Sequence, residues 1–337
     1  MGTQASTPDH RAERDSPLPE VSVVVVALNA AETLEECLRS LSNQTYDRDR
    51  YEVVVVDGGS TDGTRAVADE YADELVDDSG GSIGHGRNAG VAAASGEYIA
   101  FTDADCRVPS DWLESLVERF AETDDEHIAA VGGPNWTFEE DSRLSKVIEA
   151  MQETVFGSGQ ASQAYRVGDV RRVSNMPACN VLYDAAVFED HSFADINVGE
   201  DAEFHHRLAG RGYEFLYDPT TPVDHHRPGT LGEFVSKMYS YGVAMAKVSR
   251  RHGRPLRWYA VLPSAALVSA ATGSVVAPRA VRRGFPAGLA AFLLVAGWTC
   301  AYAFRRTGDP LALAVVALLP LQYLVYGVGF LRGLVES

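Results

Sequence analysis

Two carboxylates spaced by two, Asp103 and Asp105, stand directly after the apolar run Glu97-Tyr-Ile-Ala-Phe-Thr102. If that run is a strand, the pleat sends residues i and i+2 to one side, so both acids reach the same sheet edge. Two acids held that close are costly unless something positive lies between them. A hard divalent cation with oxygen ligands is the usual neutraliser, and its open positions suit a diphosphate. Alone, the pair reads equally as a solvated turn or a helix cap. Other chemistry-bearing positions are Asn29 and Asp57, each after a β-branched run, and Arg87 among glycines. Glu200-Asp201 and the cluster Asp224-His225-His226-Arg227 complete the set.

The elements that must carry these side chains are legible from periodicity. Residues 21–27, Val-Ser-Val-Val-Val-Val-Ala, and Tyr51-Glu-Val-Val-Val-Val56 are continuous apolar runs that fit strands buried on both faces. Leu34, Cys37, Leu38 and Leu41 recur at helical spacing, predicting a helix over 31–42. Asp57-Gly-Gly-Ser-Thr-Asp-Gly63 is a turn opening a second helix, and a small-residue helix is predicted over 86–94. Strands alternating with helices give an α/β fold with a mostly parallel sheet and right-handed crossovers. Ligands bind such sheets at the C-terminal strand ends. Asn29, Asp57 and the Asp103/Asp105 pair fall at three such ends. Farther on, a helix is expected over 142–156, a Gly/Ser/Gln loop over 157–164 and a short strand over Val181–Tyr183. A helix follows over Glu200–Gly210, then a strand over Tyr213–Tyr217.

Charge divides the chain. The net charge is −18, yet residues 256–337 hold seven Arg against Asp309 and Glu336, which is +5 and leaves −23 for residues 1–255. Only Lys146, Lys237 and Lys247 are lysines. An acidic surface with Arg in place of Lys stays hydrated in strong salt, so a halophilic source is expected; the plainer alternative is a merely acidic protein. An acidic surface repels phosphate backbones, which argues against nucleic acid as a partner. Cys37, Cys106, Cys179 and Cys300 are scattered with no C-x-x-C, so no zinc knuckle or redox pair is indicated and a reducing compartment fits. Residues 1–20 are polar and read as a disordered tail rather than a signal peptide. Residues 258–277, 285–304 and 311–331 are almost free of charge and each is close to the roughly 20 residues that span a bilayer. The first contains Pro263 and Gly273 and reads equally as an interfacial or re-entrant segment. A membrane region over 256–333 with two to three spans is therefore expected. Arg250, Arg251, Arg254 and Arg257 before it favour a cytoplasmic domain over 21–250.

From Val21 to Ala246 the chain resembles family 2 glycosyltransferases of the GT-A fold. The resemblance is carried by Val21-Ser-Val-Val-Val-Val-Ala-Leu-Asn29, Val53-Val-Val-Val-Asp-Gly-Gly-Ser-Thr-Asp-Gly-Thr64 and Gly84-His-Gly-Arg-Asn-Ala-Gly90. Ala94-Ser-Gly-Glu-Tyr-Ile-Ala-Phe-Thr-Asp-Ala-Asp105 and Gly199-Glu-Asp-Ala-Glu-Phe-His-His-Arg-Leu208 follow in order. Each piece is weak; their order and spacing together are specific. Ala27-Leu28 departs from the family's usual residues there. The resemblance implies sugar transfer from a nucleotide-diphosphate donor, with inversion at the anomeric carbon.

It also implies roles. Asp57 bonds the nucleobase, with Ala27 and Asn29 in the same pocket; the plain alternatives are a turn-capping Asp and an N-capping Asn. Arg87 pairs with the diphosphate, or is a surface Arg. Asp105 binds Mg²⁺ or Mn²⁺, Asp103 contacts ribose or metal, and His225 completes the metal site or is an exposed loop histidine. Asp201 is the general base with Glu200 positioning the acceptor, although acids at a helix start are common for dipole reasons alone. Asn180 lines the acceptor pocket or is a turn residue. Lys237-Met-Tyr-Ser-Tyr-Gly-Val-Ala244 stands where processive enzymes carry Gln-x-x-Arg-Trp, which favours a single addition. The expected partners are a UDP-type nucleotide sugar, a lipid-linked (dolichol or polyprenyl) glycan and the cell membrane, in protein N-glycosylation or surface polysaccharide assembly. A polyprenyl-phosphate monosaccharide synthase and a non-catalytic nucleotide-sugar sensor are the alternatives.

Overall fold

The computed structural model describes residues 18–123, 125–158, 168–253, 262 and 279–336. Most of the expected tail, and the first apolar stretch apart from residue 262, lie outside the described residues, as do Arg254 and Arg257 and most of the 157–164 loop.

The strands are β1 (Val21–Ala27), β2 (Tyr51–Asp57), β3 (Glu74–Asp77), β4 (Tyr98–Asp103), β5 (Cys106–Arg107), β6 (Ile128–Gly132), β7 (Asn135–Trp136), β8 (Arg171–Val173), β9 (Val181–Asp184), β10 (Glu214–Tyr217) and β11 (Val223–His225). The helices are α1 (Ala31–Ser42), α2 (Thr64–Tyr71), α3 (Ile83–Ala93), α4 (Trp112–Ala121), α5 (Arg143–Gln152), α6 (Val155–Ser158), α7 (Val187–Asp190), α8 (Glu200–Ala209), α9 (Leu231–Arg251), α10 (Arg279–Thr307) and α11 (Val315–Val335). A large sheet runs in the order β3-β2-β1-β4-β9-β6-β10-β8, with β9 and β8 antiparallel to their neighbours. The mostly parallel α/β sheet expected from the alternation is therefore present.

The uninterrupted Val runs have a direct cause. Val23 and Val25 of β1 and Val53 and Val55 of β2 pack on one face with Leu34, Leu38, Trp112 and Leu116. Val24, Val54 and Val56 pack on the other with Phe101, Tyr183, Phe193 and Phe204. Both faces are covered, so alternation in hydrophobicity is not needed.

A second sheet of three short strands, β5-β11-β7, lies after the end of β4. Its register sets Cys106 opposite His225 and Arg107 opposite Asp224. Here one sequence expectation changes. Strand β4 ends at Asp103, and Ala104-Asp105 form a turn before β5. The two acids are therefore not carried on one pleat, and strand alternation does not govern where they point.

The C-terminal helices α10 and α11 fold back on α5 and α9. Val147, Ile148 and Met151 of α5 share a core with Phe234 and Met238 of α9, Ala296 and Ala303 of α10, and Val315, Leu318 and Leu319 of α11. Arg143 at the start of α5 makes two bonds to Asp309, at 2.5 and 2.6 Å. Helices α9 and α11 meet along glycines: a Cβ on Gly242 would run into the Tyr326 carbonyl, and one on Gly329 into the Tyr239 carbonyl. Only glycine permits that approach, the small-residue seam familiar from helix pairs in lipid. Among the described residues one helix, Pro310–Val335, is long and apolar enough to cross a membrane. It matches the third expected stretch. The second falls within α10, where Ala296, Thr299 and Ala303 are fully buried. Part of its surface is spent on the protein core; the first expected stretch, apart from residue 262, lies outside the described residues, and among those residues there is one candidate span beside the two to three expected.

Candidate active site

The end of β4 and the start of α8 gather three acids, Asp103, Glu200 and Asp201, around one buried cation. Arg87 lies within α3, not in a loop, and is turned inward with only 5 % of its surface exposed. Its Nη2 donates to Asp103 Oδ1 at 3.1 Å and lies 3.4 Å from Glu200 Oε1, while Nη1 donates to the Ala178 carbonyl. The guanidinium also sits over the rings of Phe101 and Phe193. Arg87 is thus the positive group beside Asp103. It joins the end of β4 to the start of α8, so it is not the surface Arg of the plainer reading. Burial works against its charge, but Glu200 and Asp103 outweigh it and hold the guanidinium above its ordinary range.

Helix α8 begins with Gly199 in the left-handed region, at φ 80°, followed by Glu200 and Asp201. Burial pushes the Glu200 carboxyl up to about 7, against the opposing pull of Arg87. Asp201 is raised too, again by burial first, and its Oδ1 accepts from the Ala202 amide at 2.6 Å. An acid whose proton affinity is lifted toward neutrality is a competent proton acceptor.

Asp105 faces the other way. Its Oδ1 lies 3.4 Å from His225 Nε2. Burial opposes ionisation, yet His225 holds the Asp105 carboxyl down to about 2, with a smaller contribution from Lys237. His225 is 8 % exposed and its Nδ1 has no hydrogen-bond partner. Ligand atoms of Asp105, Cys106 and His225 all lie within 4.8 Å of one another. A half-buried carboxylate, an imidazole with an orphaned buried nitrogen and an open side toward solvent fit a divalent cation. Asp105 and His225 would hold it, and when bound it would neutralise charge on a diphosphate.

The remaining expected positions fare differently. Asp57 is fully buried at the end of β2; it accepts from the Ser60 amide at 3.1 Å and from Arg65 Nη1 at 2.9 Å. Arg65 also bonds Asp77 at 2.9 Å. Ala27 is buried beside Asp57 in register, and its carbonyl takes the Gly58 amide. Asn29 has φ 49°, and its side chain accepts from the Thr61 amide at 2.9 Å. It braces the 58–63 turn; the residue before α1 is Ala30, so Asn29 is not that helix's N-cap.

Asn180 must be corrected. It is fully buried, accepts from Trp112 Nε1 at 2.8 Å and donates to the Pro134 and Thr221 carbonyls at 2.9 and 2.7 Å. Its amide is committed to tying three segments together, which leaves no face for an acceptor. Arg227 is likewise taken up by Asn135, at 2.9 Å from its Oδ1.

The family model for Glycosyl transferase family 2 matches residues 22–190, half of the chain. The chain belongs to that family. Among its relatives, glycosyltransferase AglE of Haloferax volcanii is 27 % identical over 69 % of this chain and 75 % of its own length. A Methanococcus voltae protein is 21 % identical over 71 % of this chain and 76 % of its own. Its name is dolichyl N-acetyl-α-D-glucosaminyl phosphate 3-β-D-2,3-diacetamido-2,3-dideoxy-β-D-glucuronosyltransferase. The mannosyltransferase PcManGT of Pyrobaculum calidifontis, solved with GDP-Man and Mn²⁺, superposes with a TM-score of 0.62 at 19 % identity, covering 97 % of this chain and 93 % of that one. At that identity the likeness establishes the fold.

Within this family 2 glycosyltransferase, sequence reasoning missed three site residues. Arg65 carries a detectable signal, since it sits in the first turn of the helix after Asp57. Cys106 and Lys237 carry none, because their place beside Asp105 and His225 depends on the β5–β11 register and on the path of α9.

Proposed function

We propose that this protein is an inverting, membrane-attached glycosyltransferase. It moves one sugar from a nucleotide-diphosphate donor, with UDP favoured, onto a hydroxyl of a lipid-linked glycan at the cytoplasmic face. The observation that carries this is the chain Asp103–Arg87–Glu200, which ties the sheet's acidic edge to the helix bearing Asp201. A sugar hydroxyl is a poor nucleophile at neutral pH and needs a proton acceptor, which contributes about 10²–10⁴-fold. Asp201, raised by burial and half-buried, is that base; Glu200, beside Arg87, positions the acceptor. A lipid monophosphate acceptor is already ionised and needs no base, so the base-bearing helix favours a glycan hydroxyl.

The Methanococcus relative, whose name specifies a dolichyl-linked acceptor, supports the lipid-linked class. Mn²⁺ in the Pyrobaculum structure supports a divalent cation at Asp105 and His225. The apolar helix Pro310–Val335 supports attachment to the membrane, with residues 21–250 as the catalytic domain and 256–333 as the membrane region. The acidic, Lys-poor composition together with a Haloferax relative supports a high-salt cytoplasm.

Membranes containing the chain are incubated with a panel of labelled UDP- and GDP-sugars and either a dolichyl-linked glycan or bare dolichyl phosphate. Label is expected in the glycan, and Asp201→Asn is expected to lower the rate by about 10²-fold or more. Label entering only dolichyl phosphate would identify a polyprenyl-phosphate synthase instead. Nucleotide binding without turnover on any donor would point to a sensor.

A further inference from the structure

The cation site has a sulfur ligand that the D-x-D pattern does not announce. Cys106 and His225 are cross-strand partners in the antiparallel β5–β11 pair. Directly opposed residues in such a pair project to the same side of the sheet with Cβ atoms about 4.5–5.5 Å apart. Asp105 immediately precedes Cys106, and its carbonyl accepts from the His226 amide, which continues the same pairing. Register sets the thiol and the imidazole on one side, the turn before β5 brings the Asp105 carboxylate to 3.4 Å from His225 Nε2, and the three donor atoms lie within 4.8 Å of one another. His225 is more than nine-tenths buried; its Nε2 faces Asp105 Oδ1 at 3.4 Å and its Nδ1 has no hydrogen-bond partner.

We propose that Asp105, Cys106 and His225 form a three-ligand site for a thiophilic divalent cation, Zn²⁺ or Cd²⁺, which competes with Mn²⁺ at the catalytic centre. The proposal rests on the cation reading of Asp105 and His225 and adds the thiolate. Bonds of about 2.0–2.3 Å in a tetrahedral site set donor atoms roughly 3.3–3.8 Å apart. The three groups must close by about an ångström, within reach of side-chain rotation. Metallation deprotonates the Cys106 thiol, forming one metal–sulfur bond and releasing one proton to solvent. Thiolate and imidazole favour zinc over manganese, both by ligand softness and by the ordinary affinity order. A tetrahedral ion with three protein ligands keeps a single open position. A diphosphate clamped through two oxygens then loses one of its contacts, so Zn²⁺ is expected to inhibit transfer.

The test uses the full chain in detergent. Cd²⁺ is titrated in while the ultraviolet thiolate-to-cadmium charge-transfer band is recorded, and Mn²⁺ release is followed by electron paramagnetic resonance. The wild type is expected to develop the band as Mn²⁺ is released. Cys106→Ser is expected to lose the band and weaken Cd²⁺ by at least roughly 10–100-fold, the loss seen even for outer partners of a ligand. Cys179→Ser, which alters the neighbouring buried thiol, is expected to keep it. Cd²⁺ releasing Mn²⁺ with no band in the wild type would overturn the thiolate ligand and leave the Asp105–His225 cation site standing; this outcome needs no variant to fold. A band lost in Cys179→Ser but kept in Cys106→Ser would overturn it as well. If neither Mn²⁺ nor Cd²⁺ binds, the underlying cation reading falls together with the proposal.

Discussion

Replacing Glu200 by Gln is expected to flatten the pH dependence of stability. Glu200 is 6 % exposed and burial pushes its carboxyl from an ordinary 4.5 to about 7. Between those values the folded state holds a proton that the unfolded chain has released. Stability therefore falls as pH rises through that window, because the native state binds the additional proton. The gap corresponds to about 3 kcal/mol, gained in full below pH 4.5 and lost above about pH 7. Glutamine keeps the shape beside Arg87 but cannot ionise. The assay is urea unfolding of the detergent-solubilised chain from pH 4.5 to 8, read by fluorescence of the buried Trp112. The wild type should lose about 3 kcal/mol more than Glu200→Gln across that range. Asp201, also raised by burial, lies close enough to act on Glu200, so the difference between the two proteins reads the pair. Parallel curves for the two proteins would refute a buried, proton-holding Glu200.

Asn180→Ala should destabilise the fold by about 3 kcal/mol or more, since Trp112 Nε1 and the Pro134 and Thr221 carbonyls lose buried partners. The KM for acceptor should not change; an unchanged melting point with a raised acceptor KM would restore Asn180 to the acceptor pocket. Gly242→Ala should separate α9 from α11, because the new methyl meets the Tyr326 carbonyl and the Phe330 amide, both backbone. A cost of about 1–3 kcal/mol is expected in a thermal shift measurement, and no shift would mean that the two helices do not pack as described.

Most of the sheet was legible because its central strands are long, apolar and buried on both faces. Val21–Ala27 and α1 fall where periodicity sets them, and β2 and β4 shift by a residue at their ends. The short strands were not legible. Two-residue β5 and β7 carry no period, and β11 is three residues long. Those elements set His225 opposite Cys106; Asp105 and His225 were singled out for a cation from the family resemblance, whereas nothing in the sequence pointed to the Cys106 thiol beside them. Helix α9 escaped notice because its buried face includes Gly242, Ala244 and Ala246, small residues that pack by close approach and leave little hydrophobic periodicity. Arg87 was singled out for the site, but its burial within α3 was not legible. Sequence gives no sign that α3 packs over β1 and β2 with the Arg87 guanidinium facing Asp103 at the end of β4. Asn180 shows the opposite difficulty: an amide that ties segments together looks the same in sequence as one that binds a ligand.

The most direct measurement is a crystal grown with Mn²⁺ and a nucleoside diphosphate, with the ion located by anomalous scattering. The ion is expected beside Asp105 and His225, on the diphosphate, with Arg87 still holding Asp103 to Glu200. An ion and nucleotide bound elsewhere, with the 3.4 Å contact between Asp105 and His225 undisturbed, would contradict the account at its centre.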